Sequence, residues 1–172
     1  CCWNNKSCNL KISNSGIQIK GIRSIMGIKI RAVNKDDKSR WLELFADYIT
    51  FYNSKLTDQQ FELTWQRINS DFNINCLVAE LDSKVVGFTH YIWRPDTWEA
   101  QDFCYLEDLY TDPKVRGKGV GRALIKAVED IAIAKGSKRL YWTTAPDNEL
   151  ARTLYDKIAI TNRVEYKIYL NK

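Results

Sequence analysis

The feature that most constrains this chain is the run Val115-Arg116-Gly117-Lys118-Gly119-Val120-Gly121-Arg122. It follows a strand pattern of mixed character, Phe103–Thr111, and leads directly into a helical one. Val120, Ala123, Leu124, Ala127, Val128 and Ile131 fall on one face of that helix, and Gly136 ends it. No Ser, Thr, Asp or Asn stands where the helix needs an N-cap, so its first amides are donors without partners. Glycines let the chain bend tightly and let an anion approach the backbone. The helix dipole makes the spot positive, and Arg116, Lys118 and Arg122 add to it. A ligand phosphate fits such a place. The competing reading, a glycine-rich turn with solvated bases, is disfavoured by the strand–loop–helix context and the missing cap. A Walker A loop is excluded, because Gly117-Lys118 is followed by Gly119 and not by Ser or Thr. A Rossmann fingerprint is excluded too: the third glycine is misplaced and the loop comes late in the chain.

The remaining pattern places this loop in one domain. At 172 residues, 45% apolar and 27% charged, the chain is neither disordered nor membrane-embedded in composition. Ile28, Ile30 and Ala32 alternate with polar neighbours as a short strand. Asp36 and Asp37 are candidate N-caps for a helix through Trp41, Leu44, Phe45, Tyr48 and Tyr52. Thr57-Asp58-Gln59-Gln60 reads as a capping box opening a second helix through Phe61, Trp65 and Ile68. Cys76–Leu81 and Lys84–Trp93 form a hairpin about Asp82-Ser83, followed by a polar loop, Arg94–Asp102. Downstream of the long helix, Leu140–Thr143 is predicted as a strand. Leu150, Ala151, Leu154, Tyr155 and Ile158 follow as a helix, and Val164–Leu170 as a closing strand. This order predicts an α/β (α+β) fold, with a mixed, mostly antiparallel central sheet and helices on both faces.

Charge and cysteine content separate a leader, residues 1–25, from a domain, residues 26–172. The chain holds 26 Lys+Arg against 21 Asp+Glu, and the leader has four of the bases (Lys6, Lys11, Lys20, Arg23) and no acid. The domain is left with 26 − 4 = 22 bases against 21 acids, too balanced for a nucleic-acid footprint. Three of the five cysteines, Cys1, Cys2 and Cys8, lie in the leader, and there is no CxxC. The expectation is a reducing, cytoplasmic setting without a metal site. No run is long and apolar enough for a membrane helix. The only methionine, Met26, is expected to be the natural start, with the leader non-native, disordered, or a transit segment.

Arg116-x-x-Gly119-x-Gly121 resembles the acyl-CoA loop of the GCN5-related N-acetyltransferases, the GNAT superfamily. The likeness is specific from Tyr105 to Tyr155 and topological over the rest of 27–170. Tyr105-Leu106-Glu107-Asp108 resembles the corresponding strand of the diamine (spermidine/spermine and thialysine) acetyltransferases. Tyr141-Trp142-x-Thr144 with Asn148-x-x-Ala151-x-x-Leu154-Tyr155 is similar to the yeast Hpa-type acetyltransferases. The usual Gly-Phe turn after the last helix is replaced here by Lys157–Arg163.

The resemblance implies acetyl-CoA as co-substrate, no metal, a splayed central strand pair and a homodimer. Gly117, Lys118, Gly119, Val120 and Gly121, flanked by Arg116 and Arg122, would hold the pyrophosphate. The main chain of Leu109 and Thr111 would bond the pantetheine arm. Asn148 would either cap its helix or reach the arm or a CoA phosphate. Glu107 is read as an edge-strand acid or as a general base, and the resemblance favours the base, since an alkylammonium with a pKa near ~10.4 must lose a proton before it attacks a thioester. Alternation places Glu107 on one face with Phe103, Tyr105 and Leu109. Asp108 is expected to be paired or solvated. Tyr155, on the apolar stripe of its helix, would by resemblance protonate the departing thiolate or hydrogen-bond its sulfur.

Asp96, Glu99 and Asp102 beside Trp93 and Trp98 suit a cationic acceptor, as does Tyr48, although an ordinary solvated loop is the plainer reading. The acceptor expected is a small polyamine or diamine-like primary amine, with a protein or histone lysine as the alternative. A non-catalytic acyl-CoA-binding module is the alternative of another class. His90 is expected to be an ordinary strand histidine, and Cys104 is not expected to carry an acyl group.

Overall fold

The computed structural model describes residues 27–170, together with the backbone of 11–13, 16–18 and 23–25. Met26 and most of residues 1–25 lie outside the described residues. Two compact units divide at Trp142–Thr143.

The first unit is built on a six-stranded sheet in simple sequential order. A separate two-stranded hairpin, β1 (Lys11–Ser13) and β2 (Gly16–Gln18), precedes it. The sheet strands are β3 (Arg23–Ile25), β4 (Ile28–Ala32), β5 (Ile74–Leu81), β6 (Lys84–Arg94), β7 (Phe103–Thr111) and β8 (Leu140–Tyr141). Every neighbouring pair is antiparallel except β7 and β8, which are parallel. The helices α1 (Lys38–Phe51), α2 (Asp58–Ile68) and α3 (Val120–Ala134) belong to this unit.

Side-chain alternation on β6 assigns the two faces. Phe88 and His90 stack against Phe45 and Trp41 of α1. Gly87 looks the other way: a Cβ there would lie 3.2 Å from Val120 and 3.5 Å from Leu124 of α3. The α1 face buries Trp41, Leu44, Phe45, Trp65, Val78, Phe88 and Tyr110 in one cluster. The opposite face is covered by α3 through Val120, Ala123, Leu124, Val128 and Ile131, all buried. These are the stripes their spacing predicts, and helices cover both faces. The β5–β6 turn is Asp82-Ser83, with φ +49° and +61°, the paired positive values a two-residue hairpin needs. Thr57 and Gln60 form the expected reciprocal cap.

Several elements differ from expectation. Asn34, not Asp36 or Asp37, accepts the first capping bond, at the start of a 3-10 turn, Lys35–Asp37. Asp37 is buried and its carboxylate is occupied by Arg31, through bonds of 2.6 and 2.8 Å, and by the Asn34 amide at 2.8 Å. The expected strand Leu140–Thr143 is only Leu140–Tyr141. Val164–Leu170 is not a strand: it has no regular structure, and Val164, Tyr166, Ile168 and Leu170 are exposed. Alternation alone cannot make a strand where no neighbouring ladder bonds it.

The Asp37 contact carries a stability prediction. Burial pushes its carboxyl pKa up, but the Arg31 guanidinium and the Asn34 amide outweigh that and hold it below the usual value. A depressed folded pKa contributes stability above the unfolded value and loses it as pH falls through the folded one. Asp37→Asn should therefore cost about 2–3 kcal/mol at pH 7. The gap from wild type should narrow below about pH 4. Urea unfolding at both pH values measures it, and a pH-independent gap would refute the ion-pair account.

Among its described residues the second unit, 143–172, contains one helix, α4 (Glu149–Tyr155), which ends before the expected Ile158.

Candidate active site

Pairing between β7 and β8 stops after two residue pairs, Cys104–Leu140 and Tyr105–Tyr141. Beyond Tyr105, β7 has β6 on one side and, among the described residues, no strand on the other. This is the splayed strand pair, and the main chain at Leu109 and Thr111 lies along its open side.

Glu107 stands at a break in the β6–β7 ladder. His90 pairs with Asp108 and Tyr91 with Leu106, so Glu107 is the extra residue of a β-bulge. The bulge shifts the alternation by one position. Phe103 and Tyr105 share the α1 face with Glu107 and Asp108, whereas Leu109 opposite Thr89 falls on the α3 face. The expected grouping of Leu109 with Glu107 is thereby corrected: strict period-two alternation ends where the extra residue is inserted.

The Glu107 carboxyl is held above its ordinary pKa. Removal of surrounding water is the main cause and the Asp108 charge adds to it, while Arg94 and His90 oppose it. A carboxylate so tuned is a stronger base than a free one, and its side chain remains exposed to a reactant.

Behind it lies a buried polar relay. His90, 1% exposed, places Nδ1 2.8 Å from Asp108 Oδ2, and its Nε2 lies 3.0 Å from Trp41 Nε1. An indole N–H only donates, so His90 Nε2 must accept and Nδ1 must carry the proton that goes to Asp108. Asp108 is therefore paired, as expected. His90 is more than a bland strand residue, because it fixes the Asp108 carboxylate against α1. Sequence spacing gave no sign of this, since the three partners come from α1, β6 and β7.

The loop before α3 is glycine-rich and leaves the helix without a side-chain cap, as its sequence predicts. Asp112 accepts from the Lys114 amide and starts a 3-10 turn, Pro113–Val115. α3 then begins at Gly119, which has φ +87° and supplies no side-chain cap. Gly117 is also left-handed, at φ +79°. A Cβ built at Gly117 or Gly119 would meet nothing within 4 Å. The turn into α3 is thus open at both glycines and is bordered by the exposed Arg116, Lys118 and Arg122. Val120 instead packs into the core and anchors the helix start. Orphan donors, positive charge and a cleared approach fit a pyrophosphate.

The expected acceptor residues are not gathered together. Trp93 is buried on the α3 face, with Lys135 Nζ 4.0 Å from its ring, on the opposite side of the sheet from Glu107. Tyr48 is on the α1 face, in ring contact with Phe45, Phe88 and Tyr110. Asp96 accepts from the amides of Trp98 and Glu99, at 2.6 and 3.0 Å, and so shapes its own turn. Glu99 and Trp98 are exposed. Arg94, expected to open the polar loop Arg94–Asp102, is instead the last residue of β6. Its guanidinium carbon is 4.1 Å above the Tyr105 ring centroid, and its Nη1 is 3.3 Å from the Tyr141 hydroxyl. Arg139 lies 3.7 Å over Phe103 next to it.

Cys104 is fully buried, and burial pushes its thiol up to about 12 despite Lys135, which leaves it unsuited to carry an acyl group. In the second unit, Asn148 caps α4 by accepting from the Ala151 amide at 3.3 Å, and it donates to Thr144 at 3.0 Å. Tyr155 is the last residue of α4 and is partly buried. Among the described residues no cluster could hold a metal ion, and no helix is long and apolar enough to cross a membrane.

A splayed mixed sheet, a carboxylate at a bulge beside the splay and an uncapped glycine-rich helix start are features that fit an N-acetyltransferase. The chain belongs to the acetyltransferase (GNAT) family, whose model matches residues 40–159, and acetyl-CoA is that family's acyl donor. It is 31% identical over 144 residues to the D-amino-acid N-acetyltransferase HPA3 of Saccharomyces cerevisiae, covering 81% of this chain and 89% of that protein. It is 30% identical over 151 residues to the thialysine N-epsilon-acetyltransferase of Bos taurus, covering 80% and 86%. Among solved structures, AAC(6')-Iy in complex with the bisubstrate analogue CoA-S-monomethyl-acetylneamine superposes with a TM-score of 0.72 at 20% identity, covering 84% of this chain and 98% of that one.

Proposed function

We propose that the protein transfers the acetyl group of acetyl-CoA to the primary amine of a small acceptor, with Glu107 as general base. The observation that carries this is the Glu107 carboxylate itself: exposed, raised in pKa, and set at the bulge where β7 loses its second neighbour. Acetyl-CoA supplies an acyl group activated as a thioester. Gly117–Gly121 and the flanking Arg116, Lys118 and Arg122 hold its pyrophosphate, and the main chain at Leu109 and Thr111 lines its pantetheine arm. Glu107 takes the ammonium proton, directly or through water, which frees the nitrogen lone pair for the acyl carbon. A main-chain amide of the open β7 edge stabilises the charge that develops on the acyl oxygen. Tyr155 supplies the proton or hydrogen bond that the departing sulfur needs.

A small acceptor is favoured over a protein lysine by the names of the yeast and bovine relatives, which specify D-amino acids and thialysine. The test is thiol release from acetyl-CoA with a panel of amino acids, diamines, polyamines and lysine peptides. Turnover on free small amines, exceeding that on peptides, is the expected result. Preference for the peptides would reverse the reading. Coenzyme A binding with no thiol release on any amine would instead identify a non-catalytic acyl-CoA module.

A further inference from the structure

We propose that Arg94 anchors the carboxylate of the acceptor, so that the protein acetylates the α-amine of an α-amino acid rather than a diamine or polyamine. This rests on the small-amine reading above and names its substrate class.

Arg94 is exposed at the end of β6, yet its guanidinium is held: the Tyr105 ring lies beneath it and the Tyr141 hydroxyl accepts from it. Stacking immobilises the flat fork and leaves its remaining N–H groups available, an arrangement suited to a carboxylate. Among the described residues Arg94 makes no ion pair, so a planar donor set stands ready without a protein acceptor of its charge.

Its position relative to the base sets the size of the ligand. Arg94 covers Tyr105, and Tyr105 and Glu107 follow two positions apart on the α1 face of β7. That step is at most roughly 6.8 Å along a strand. An α-amino acid, whose amine and carboxylate share one carbon, spans it with one hydrogen bond of about 2.8 Å at each end. An amine at the far end of a lysine-like side chain is several bonds too distant from its own carboxylate to do so.

Charge argues the same way. A second ammonium in the place proposed for the carboxylate would meet Arg94, with Arg139 close by over Phe103, and like charges would repel it. Asp96, the acid nearest to Arg94 in sequence, already accepts two backbone amides.

The experiment compares kcat/KM for α-amino acids with that for the matching carboxylate-free amines, such as phenylalanine with phenethylamine and lysine with cadaverine. The wild-type ratio should favour the amino acid. Arg94→Gln should lower that ratio by roughly 10- to 100-fold, and Arg94→Lys should restore part of it. Equal losses for both members of each pair, or a wild-type preference for the amines, would overturn the anchor while leaving the small-amine reading intact. Calorimetry of phenylalanine binding to Glu107→Gln in the presence of coenzyme A reads the anchor without turnover. Binding there that Arg94→Gln abolishes supports it, and binding that survives the substitution refutes it. A carboxylate preference persisting where Glu107→Gln turns over at the wild-type rate would sink the base and spare the anchor.

Discussion

Replacing Glu107 by Gln is expected to lower kcat/KM at pH 7 by on the order of 100- to 10,000-fold, the range one positioned base contributes. The substitution keeps the side chain's shape and removes only its ability to take a proton. The pH profile gives the decisive reading. In the wild type the rate rises as Glu107 ionises, at a higher pH than an ordinary glutamate because loss of surrounding water and the Asp108 charge raise its pKa. The variant loses that limb and depends on amine that is already free in solution. That fraction grows about tenfold per pH unit until the amine's own pKa, roughly 8–10, is reached. The deficit should therefore shrink steadily from pH 6 to pH 9. Stability should move little and in the opposite sense. A carboxyl whose folded pKa is raised contributes stability below its unfolded pKa and loses it as pH rises through the folded one. Removing the ionised group at pH 7 thus takes away a small penalty. A Gln variant that is slow equally at every pH, or whose unfolding midpoint collapses, would show that Glu107 serves the fold and not the proton.

That profile depends on a local geometry that period-two reading cannot reach. The alternation of Phe103, Tyr105 and Glu107 was legible, and so was the expense of a carboxylate in that strand. The inserted residue was not, because a bulge is fixed by pairing with β6 and leaves no mark in β7 alone. Its consequence is large: Asp108 turns to meet His90, and Leu109 passes to the α3 face. The same limit hid the Trp41–His90–Asp108 relay and the stacking of Arg94 on Tyr105, whose members are distant in sequence. Local signals fared better. The Thr57–Gln60 cap, the Asp82-Ser83 turn and the apolar stripe of α3 each depend on residues within a few positions of one another. Val164–Leu170 shows the converse, with a strand-like pattern and no ladder.

The uncapped, glycine-rich start of α3 was legible because its signal is local, and the proposed hold on the pyrophosphate yields the second large effect. Gly119→Val should weaken coenzyme A binding by about 100-fold or more, with only a modest fall in Tm. Two causes act together. At φ +87° an L side chain is strained by roughly 1–2 kcal/mol, and relief of that strain swings the first amides of α3 out of line. A branched side chain also fills the open space beside Gly119, and each charge-assisted bond lost to a phosphate costs about 1.5–3 kcal/mol. Gly87 supplies the contrast. A Cβ there would lie 2.7 Å from the Tyr110 carbonyl oxygen and press on Val120 and Leu124, so Gly87→Ala should lower Tm while the folded fraction still binds coenzyme A. Calorimetry with coenzyme A and with pantetheine, which lacks the pyrophosphate, isolates the contact. The wild type should discriminate strongly between them, and Gly119→Val should bind them almost alike. If the valine variant retains the wild-type preference, the amides at the start of α3 do not hold the diphosphate, and the donor must enter elsewhere along the open edge of β7.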